Sequence, residues 1–301
     1  MAKARIAVIG AGLMGHGIAW RLAAAGHEVT VQDPSAEALG ALAARLGEIC
    51  DLLGAGRAAL KRVSASADLA EAVSGADFVF EAAPEKLELK QALFERLEVH
   101  APPGAILCSN TSAIPISGIS ARTRNRDRVV GSHFWNPPHL VDLVEIVLMG
   151  EANRPAGEKV AALLRGAGAY PVFVNRDIPG FIGNRLQHAL KREAIALVAA
   201  GVCDAESIDD VVKHGFGARM AVLGPLEQSD LVGLDLTRAI HDTLMGDLDV
   251  TARTHPYLED LVARGDLGMK TGKGFRRWTS QQAEAVRTRL RDFLVAAARK
   301  K

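Results

Sequence analysis

The sequence has few cysteines, no excess of charge of one sign and no long apolar run. Its three cysteines, Cys50, Cys108 and Cys203, lie far apart, without a CxxC pair or a histidine at metal-ligand spacing, which disfavours disulfides and structural zinc. Lys and Arg (36) balance Asp and Glu (35), so the net charge of +1 supplies no global field for nucleic acid or an anionic membrane. The apolar stretch Ala194–Cys203 is far shorter than the roughly 20 residues of a membrane-spanning helix. We therefore expect a folded protein with no metal, no nucleic-acid partner and no membrane partner.

The 301 residues suffice for about two domains, and their patterning changes along the chain. Up to about residue 175, short β-branched runs alternate with Ala- and Leu-rich stretches of helical period, which is typical of strand–helix–strand units. After Pro179 only helical segments follow, among them one over Pro225–Met245. We predict domains at residues 1–178 and 179–301, the second all-helical. Because Lys3 and Arg5 lead into only four apolar residues, no signal peptide is indicated and the cytoplasm is expected.

The predicted strands are Arg5–Ile9, Glu28–Gln32, Phe78–Glu81, Ala105–Cys108, Val129–Phe134, Leu143–Val147 and Pro171–Val174. Most of them lack in/out alternation, as parallel strands covered by helices on both faces do.

A glycine motif follows the first strand at once and opens a helical pattern. In Gly10-Ala-Gly12-Leu13-Met14-Gly15 the glycines permit a tight turn, close approach of a pyrophosphate and close helix–strand packing. The next strand ends at Asp33, 18 residues after Gly15, where a carboxylate can accept both ribose hydroxyls. Asp33 would repel a 2′-phosphate, and Pro34-Ser35 offers no arginine to receive one. The pattern predicts a Rossmann-type dinucleotide site that prefers NAD; a helix N-cap is the alternative role for Asp33.

A histidine and a carboxylate lie 12 residues apart in two apolar runs, Gly131-Ser-His133-Phe-Trp-Asn136 and Leu143-Val-Glu145-Ile-Val147. The Asn-Pro-Pro turn between them can fold the chain back so that they meet. Because an ionised Glu145 is costly to bury unpaired, an imidazole N–H is a natural partner. Such a pair suits general acid–base catalysis near neutral pH. Taken alone, a histidine such as His133 is more often a hydrogen-bonded structural residue. The upstream glycine motif reverses this expectation in favour of the catalytic role.

Further polar groups follow other strands and open later helices. Ser109–Ser112 lies at a strand's carboxyl end, where α/β sheets bind ligands, although a helix cap is an alternative role. Asn184 opens the long helix after the predicted domain join. The odd offset between Asp142 and Glu145 in an extended strand predicts opposite faces, and hence a solvent-exposed Asp142. Trp135 is either a flat wall of the pocket or core filling.

The motifs together resemble the L-3-hydroxyacyl-CoA dehydrogenase family over essentially the whole chain. The motifs in family order are Gly10–Gly15, Asp33, the Glu81/Glu85/Lys90 set, Ser109–Ser112, His133–Pro137, Leu143–Val147, Asp177–Arg185, Gly224–Asp235 and Lys270–Phe275. The resemblance implies an α/β Rossmann-type doubly wound sheet plus an all-α C-terminal domain that forms a homodimer. By the same resemblance, the roles are general base for His133, its carboxylate partner for Glu145, substrate contacts for Ser112 and Asn184, and cofactor contacts for Asn136, Glu85, Lys90 and Lys270.

The segment between Asp33 and Glu81 departs from the family pattern. CoA-using members carry a projecting helical hairpin there, whereas this segment reads as one helix to about Leu53, a Gly-Ala-Gly stop and a short return. It is similar to relatives acting on L-gulonate, L-carnitine and a pyridine carboxylate aldehyde. We therefore predict hydride transfer between NAD and the hydroxyl carbon of a 3-hydroxy acid or related small carboxylate. The alternatives are a true 3-hydroxybutyryl-CoA dehydrogenase, imine or aldehyde chemistry at the same site, and a non-catalytic, crystallin-like dinucleotide-binding protein.

A second hydroxy-acid dehydrogenase family shares this fold plan and uses a catalytic lysine in G-x-x-x-N-x-x-K. Gly180 and Asn184 match that motif, but Gln187 stands where the lysine is required. The absence of the catalytic lysine disfavours membership of this family.

Overall fold

The computed structural model describes residues 3–299 of the chain. Its strands are β1 (Arg5–Ile9), β2 (Glu28–Gln32), β3 (Val63–Ser66), β4 (Phe78–Glu81), β5 (Ile106–Ser109), β6 (Val129–Phe134), β7 (Leu143–Val147) and β8 (Tyr170–Val174). Its helices are α1 (Leu13–Ala24), α2 (Ala36–Gly40), α3 (Leu42–Leu53), α4 (Leu69–Val73), α5 (Leu87–His100), α6 (Ile116–Ile119), α7 (Arg154–Gly166), α8 (Gly183–Ala199), α9 (Ala205–His214), α10 (Pro225–Val232), α11 (Leu234–Leu244), α12 (Pro256–Ala263) and α13 (Ser280–Arg299).

One sheet contains all of these strands, in the order β3-β2-β1-β4-β5-β6-β7-β8. Neighbouring strands are parallel except β6 and β7, which pair antiparallel. Successive β1 residues belong to opposite cores: Val8 lies in the apolar cluster that includes residues of α1, α3 and α7, and Ala7 in the cluster that includes residues of α4, α5 and α6. Helices therefore cover both faces, which explains the continuous apolar strands and confirms the doubly wound sheet.

Two predictions from the pattern need correction. Strand β3 was not predicted, because Val63-Ser-Ala-Ser66 has no apolar run and pairs at the sheet edge beyond β2. The helix predicted over Pro225–Met245 is two helices, α10 and α11, which meet at Gly233 with a φ of +101°. A left-handed glycine ends one helix and redirects the chain into the next.

The chain divides into two compact units. The first contains the described residues up to Asn184 together with those of residues 291–299, and so includes the whole sheet. The second, Arg185–Leu290, is helical, and its only buried hydrophobic residues are Leu261 and Ala283. No helix within residues 3–299 is long and apolar enough to cross a membrane.

Candidate active site

Of the three glycines in the loop between β1 and α1, only Gly12 has open space where a side chain would lie. A Cβ atom at Gly10 would lie 2.8 Å from the carbonyl oxygen of Ala82, and one at Gly15 would lie 1.7 Å from that of Gly10. A Cβ at Gly12 would meet no protein atom within 4 Å. Helix α1 has no side-chain cap within the described part of the chain, so the amides of its first turn, which includes Leu13 and Met14, are available to an anion. This geometry fits the pyrophosphate of a dinucleotide.

Asp33 stands beside the glycine loop at the end of β2. Its Oδ2 accepts the N–H of Ala11 at 2.8 Å and its Oδ1 accepts that of Ser35 at 2.9 Å. The cap of α2 is Ser35, whose Oγ accepts the N–H of Ala38. Asp33 is therefore held against the loop where a ribose would lie, with lone pairs left for the ribose hydroxyls.

The contacts of two side chains at this loop were not predicted from the sequence. Arg45 of α3 donates from Nη1 to the carbonyl oxygen of Ala11 at 2.9 Å. His16 donates from Nδ1 to the carbonyl oxygen of Gly12 at 2.7 Å, and burial lowers its pKa below the usual value. No spacing rule connects α3 to the glycine motif, so only the fold shows the contact of Arg45.

His133 and Glu145 meet because β6 and β7 are antiparallel neighbours in which these two residues are directly paired. The distance from His133 Nδ1 to Glu145 Oε2 is 2.8 Å, and the two residues are 4% and 1% exposed. Since an ionised carboxylate only accepts hydrogen bonds, Nδ1 carries the proton and Nε2 is left with a free lone pair. The pair can thus take up a proton at Nε2.

Two backbone amides complete the surroundings of Glu145. Its Oε1 accepts the N–H of Ile182 at 2.8 Å and that of Gly183 at 3.0 Å, at the N-terminus of α8. Burial alone would raise the pKa of Glu145, but the hydrogen bonds from His133 and from these amides outweigh burial and hold the pKa below its usual value. Glu145 therefore stays ionised beside the imidazole.

Aromatic rings surround the imidazole. The ring of Trp135 lies 5.6 Å and that of Phe181 lies 5.7 Å from the ring of His133. Trp135 also packs on Gly183, where a Cβ would come within 2.3 Å of the indole. Trp135 thus contacts the histidine and the helix start that holds Glu145, which goes beyond plain core filling.

Ser112 is exposed, and its loop is held from two sides. Glu85 Oε1 accepts the Oγ1–H of Thr111 at 2.6 Å and the N–H of Ser112 at 2.9 Å, while Asn184 Nδ2 donates to the carbonyl oxygen of Ser112 at 2.8 Å. Despite burial, which raises it, the pKa of Glu85 is held low by Thr111, by Lys90 and by backbone N–H groups. The structure thereby brings together Ser112, Asn184 and Glu85.

Lys90 is 1% exposed and lies inside this network. Its Nζ is 2.6 Å from Glu81 Oε1, 3.2 Å from the carbonyl oxygen of Ala83 and 3.4 Å from Glu85 Oε2. Ser109 Oγ donates to Glu81 Oε2 at 2.6 Å. The three donors of the ammonium are thus engaged within the protein, and Lys90 contacts the two carboxylates predicted with it.

The turn after β6 carries Asn136, which is exposed and precedes a cis peptide bond to Pro137. Buried Arg21 of α1 holds this turn, donating to the carbonyl oxygens of Pro138 at 2.8 Å and Val141 at 3.1 Å.

Arg21 also corrects the prediction for Asp142. The Asp142 side chain is 16% exposed, and its carboxylate lies 3.6 Å from the guanidinium. The expectation of solvent exposure was wrong, because the partner comes from a distant helix that strand alternation does not reveal.

Lys270 belongs to the second unit and is exposed in a turn, next to the bridge between Gly268 and Lys273. Within residues 3–299, no group of three or more His, Cys, Asp or Glu side chains is arranged to hold a metal ion.

Comparisons with known proteins identify the family of the chain. Residues 5–178 match the family model "3-hydroxyacyl-CoA dehydrogenase, NAD binding domain" and residues 180–278 match its C-terminal domain. The 5-formyl-3-hydroxy-2-methylpyridine 4-carboxylate 5-dehydrogenase of Mesorhizobium japonicum is 35% identical, with 98% of this chain and 97% of that protein covered. The L-carnitine dehydrogenase of Streptomyces griseus is 39% identical, with 88% of each covered.

A solved structure supports the same assignment. The crystal structure of an NAD+-dependent 5-formyl-3-hydroxy-2-methylpyridine 4-carboxylic acid 5-dehydrogenase, described as a dismutase, superposes with a TM-score of 0.91 at 34% identity, covering 99% of this chain and 98% of that one. These similarities define the chain as an NAD-dependent dehydrogenase acting on CH–OH groups. The chain belongs to the 3-hydroxyacyl-CoA dehydrogenase family.

Proposed function

We propose that this dehydrogenase transfers hydride between NAD and the hydroxyl carbon of a 3-hydroxy acid or related small carboxylate, with His133 as the general base. The buried hydrogen bond of 2.8 Å between His133 Nδ1 and Glu145 Oε2 carries the proposal. It leaves Nε2 as a proton acceptor and keeps a negative charge beside the imidazolium that forms.

The residues of the site divide the work. Nε2 of His133 takes the hydroxyl proton of the substrate, and Glu145 stabilises the resulting charge. Ser112 and Asn184, which are hydrogen-bonded to each other, bind the substrate oxygens. Gly10, Gly12, Gly15 and Asp33 hold the dinucleotide, and NAD supplies the hydride acceptor when bound. Asn136, Glu85, Lys90 and Lys270 remain proposed cofactor contacts, Lys90 through Glu85.

A free acid is favoured over a CoA thioester by the segment between β2 and β4. Helix α3 ends at Leu53, Gly54 takes a φ of +65°, and the chain returns through a short helical turn at Arg57–Arg62 to β3. The described residues of this segment form no projecting helical pair of the kind that holds CoA in the family. Similarity to dehydrogenases of a pyridine carboxylate and of L-carnitine supports the same choice.

A substrate panel tests the proposal. NAD reduction at alkaline pH is measured with 3-hydroxybutyryl-CoA, 3-hydroxybutyrate, L-gulonate and L-carnitine, and NADH oxidation or dismutation with a pyridine carboxylate aldehyde. We expect turnover on a free acid. His133→Ala should reduce kcat by about 10²-fold or more while NADH binding persists.

The remaining outcomes assign the alternatives. Activity confined to the thioester would identify a 3-hydroxybutyryl-CoA dehydrogenase and overturn the free-acid proposal. Near-normal turnover in His133→Ala would remove the histidine from its role. NADH binding without turnover on any of the five compounds would favour the non-catalytic alternative.

We further propose a homodimer formed through the helical unit, in the cytoplasm. Within residues 185–290 only Leu261 and Ala283 are buried hydrophobics, whereas Leu226 of α10 is 80% exposed and Leu234 of α11 is 62% exposed. A unit of this size needs a larger buried core, which a second copy supplies. The cytoplasm fits the free state of all three cysteines.

A further inference from the structure

Phe181 has a backbone conformation that residues with a side chain rarely adopt. Its φ of +52° is the only positive φ of a non-glycine residue within residues 3–299, and the residue is 0% exposed. Such a conformation persists only where the surrounding contacts impose it, and it concentrates at functional sites.

The chain around Phe181 is anchored on both sides. Before it, Asp177 accepts the N–H groups of Ile116 and Ser117 at 2.8 and 2.7 Å, and the N–H of Gly180 reaches the carbonyl oxygen of Ala113 at 3.3 Å. After it, α8 begins at Gly183. These contacts fix the segment that the left-handed residue has to bridge.

The left-handed residue redirects the next two amides. The N–H groups of Ile182 and Gly183 point to one atom, Oε1 of Glu145, at 2.8 and 3.0 Å. Successive N–H groups after such a turn form a concave site for an anion. The backbone conformation at Phe181 is therefore part of what holds the carboxylate.

The side chain of Phe181 lies against His133, the partner of Glu145. The Phe181 ring lies 5.7 Å from the imidazole of His133 at an angle of 54°. The same ring belongs to the apolar cluster that contains Phe94 and Leu107. Packing in that core restricts the ring, and the ring restricts rotation of the imidazole.

We propose that Phe181 is a positioning residue for proton transfer: its backbone directs two amides to Glu145, and its ring fixes the imidazole of His133. Membership of the core alone would require the ring but not the positive φ. The expected effect of Phe181 on kcat rests on the proposed role of His133 as general base. Its effect on the positions of Glu145 and the imidazole does not.

Phe181→Leu is the test, with Phe94→Leu as matched control. Phe94 is also 0% exposed and lies in the same cluster, so both variants lose a buried ring. We measure kcat and KM, NADH affinity, and the low-field NMR resonance of the imidazole N–H bonded to Glu145, at a temperature where each variant is folded. In Phe181→Leu we expect kcat to fall about 10- to 100-fold with little change in KM, and the resonance to broaden or vanish. Phe94→Leu should keep the wild-type kcat and the imidazole N–H resonance.

A second comparison tests the backbone. Phe181→Gly and Phe181→Ala both lack the ring, but only glycine adopts a positive φ without strain. The glycine variant should keep the higher kcat and the sharper resonance. Equal behaviour of Phe181→Leu and Phe94→Leu, or of the glycine and alanine variants, would overturn the proposal. If the wild type shows the resonance but no turnover, the proposed function fails while the resonance still decides the role of Phe181.

Discussion

At the scale of single residues, a substitution at Gly12 should change ligand affinity without changing the stability of the fold. Its φ of −70° is open to alanine, and an added Cβ meets no protein atom within 4 Å. In the proposed role of Gly12, a methyl group there would collide with the pyrophosphate of NADH. We expect Gly12→Ala to raise the NADH Kd at least about 10-fold, by titration of NADH fluorescence, with the free energy of unfolding changed by less than about 1 kcal/mol.

Gly40→Ala is the control, because its Cβ also has open space but lies at the end of α2. It should leave both quantities unchanged. Normal NADH affinity in Gly12→Ala would place the dinucleotide elsewhere.

His139 makes stability depend on pH. Burial, with the charges of His16 and Arg21, lowers its pKa from 6.5 to about 4. Between these values the unfolded chain binds a proton that the folded chain does not, so stability is retained above pH 6.5 and lost as the pH falls towards 4. For this partly exposed side chain we expect a loss on the order of 1 kcal/mol, measured by urea unfolding at pH 7 and pH 5.

Removing the titrating ring should flatten that dependence. His139→Phe is expected to lose less stability between the two pH values than the wild type, whereas His100→Phe, at an exposed position, should follow the wild type. A His139→Phe protein with the full pH dependence would assign it to other groups. We expect His16 and His27, whose pKa values burial also lowers, to contribute to the part that remains.

At the scale of secondary-structure elements, Arg21 connects α1 to the turn after β6, the strand that carries His133. Its guanidinium reaches the carbonyl oxygens of Pro138, Val141 and Gly168 and lies 3.6 Å from Asp142. Arg21→Met leaves these buried acceptors without their donor, so we expect a loss of about 3–4 kcal/mol in urea unfolding. Arg21→Lys should lose less stability than Arg21→Met but should stay below the wild type, since an ammonium lacks the planar donor fork of a guanidinium.

Arg5→Met provides the comparison, because the Arg5–Asp77 pair is exposed and 3.8 Å long. Its removal should cost less than about 1 kcal/mol. Similar losses in Arg5→Met and Arg21→Met would show that the buried contacts contribute little.

The sequence predicts elements and sites where the signal is local. Gly10–Gly15, Asp33 and the pairing of His133 with Glu145 depend on short motifs and on one turn, and all are placed by the fold as their spacing indicated. Strand β3 was missed because an edge strand needs no apolar run. The contacts of Arg21, Arg45 and Phe181 were not predicted because each depends on a neighbour distant in the chain, and no periodicity encodes such pairs.

At the scale of the whole molecule, the two units bury apolar residues very differently. The sheet unit has apolar clusters on both faces of its sheet, whereas in the helical unit α8 to α11 have no buried residue. If a second copy covers these helices, unfolding and dissociation are coupled and the Tm depends on concentration. We expect the Tm to rise by several degrees between about 1 and 100 µM chain, with a dimeric mass by light scattering.

Charges at exposed apolar positions of the helical unit should break the coupling. Replacing Val222, Leu226 and Leu231, which are 83%, 80% and 72% exposed in one chain, by Asp should give a monomer with a lower Tm that no longer depends on concentration. Val99, 74% exposed on α5 of the sheet unit, is the control, because Val99→Asp adds a charge to the unit that the proposed interface does not use and should leave the dimer intact. A wild type that is monomeric with a constant Tm would show that the helical unit is stable despite its small core, and that contacts within one chain are enough to hold it.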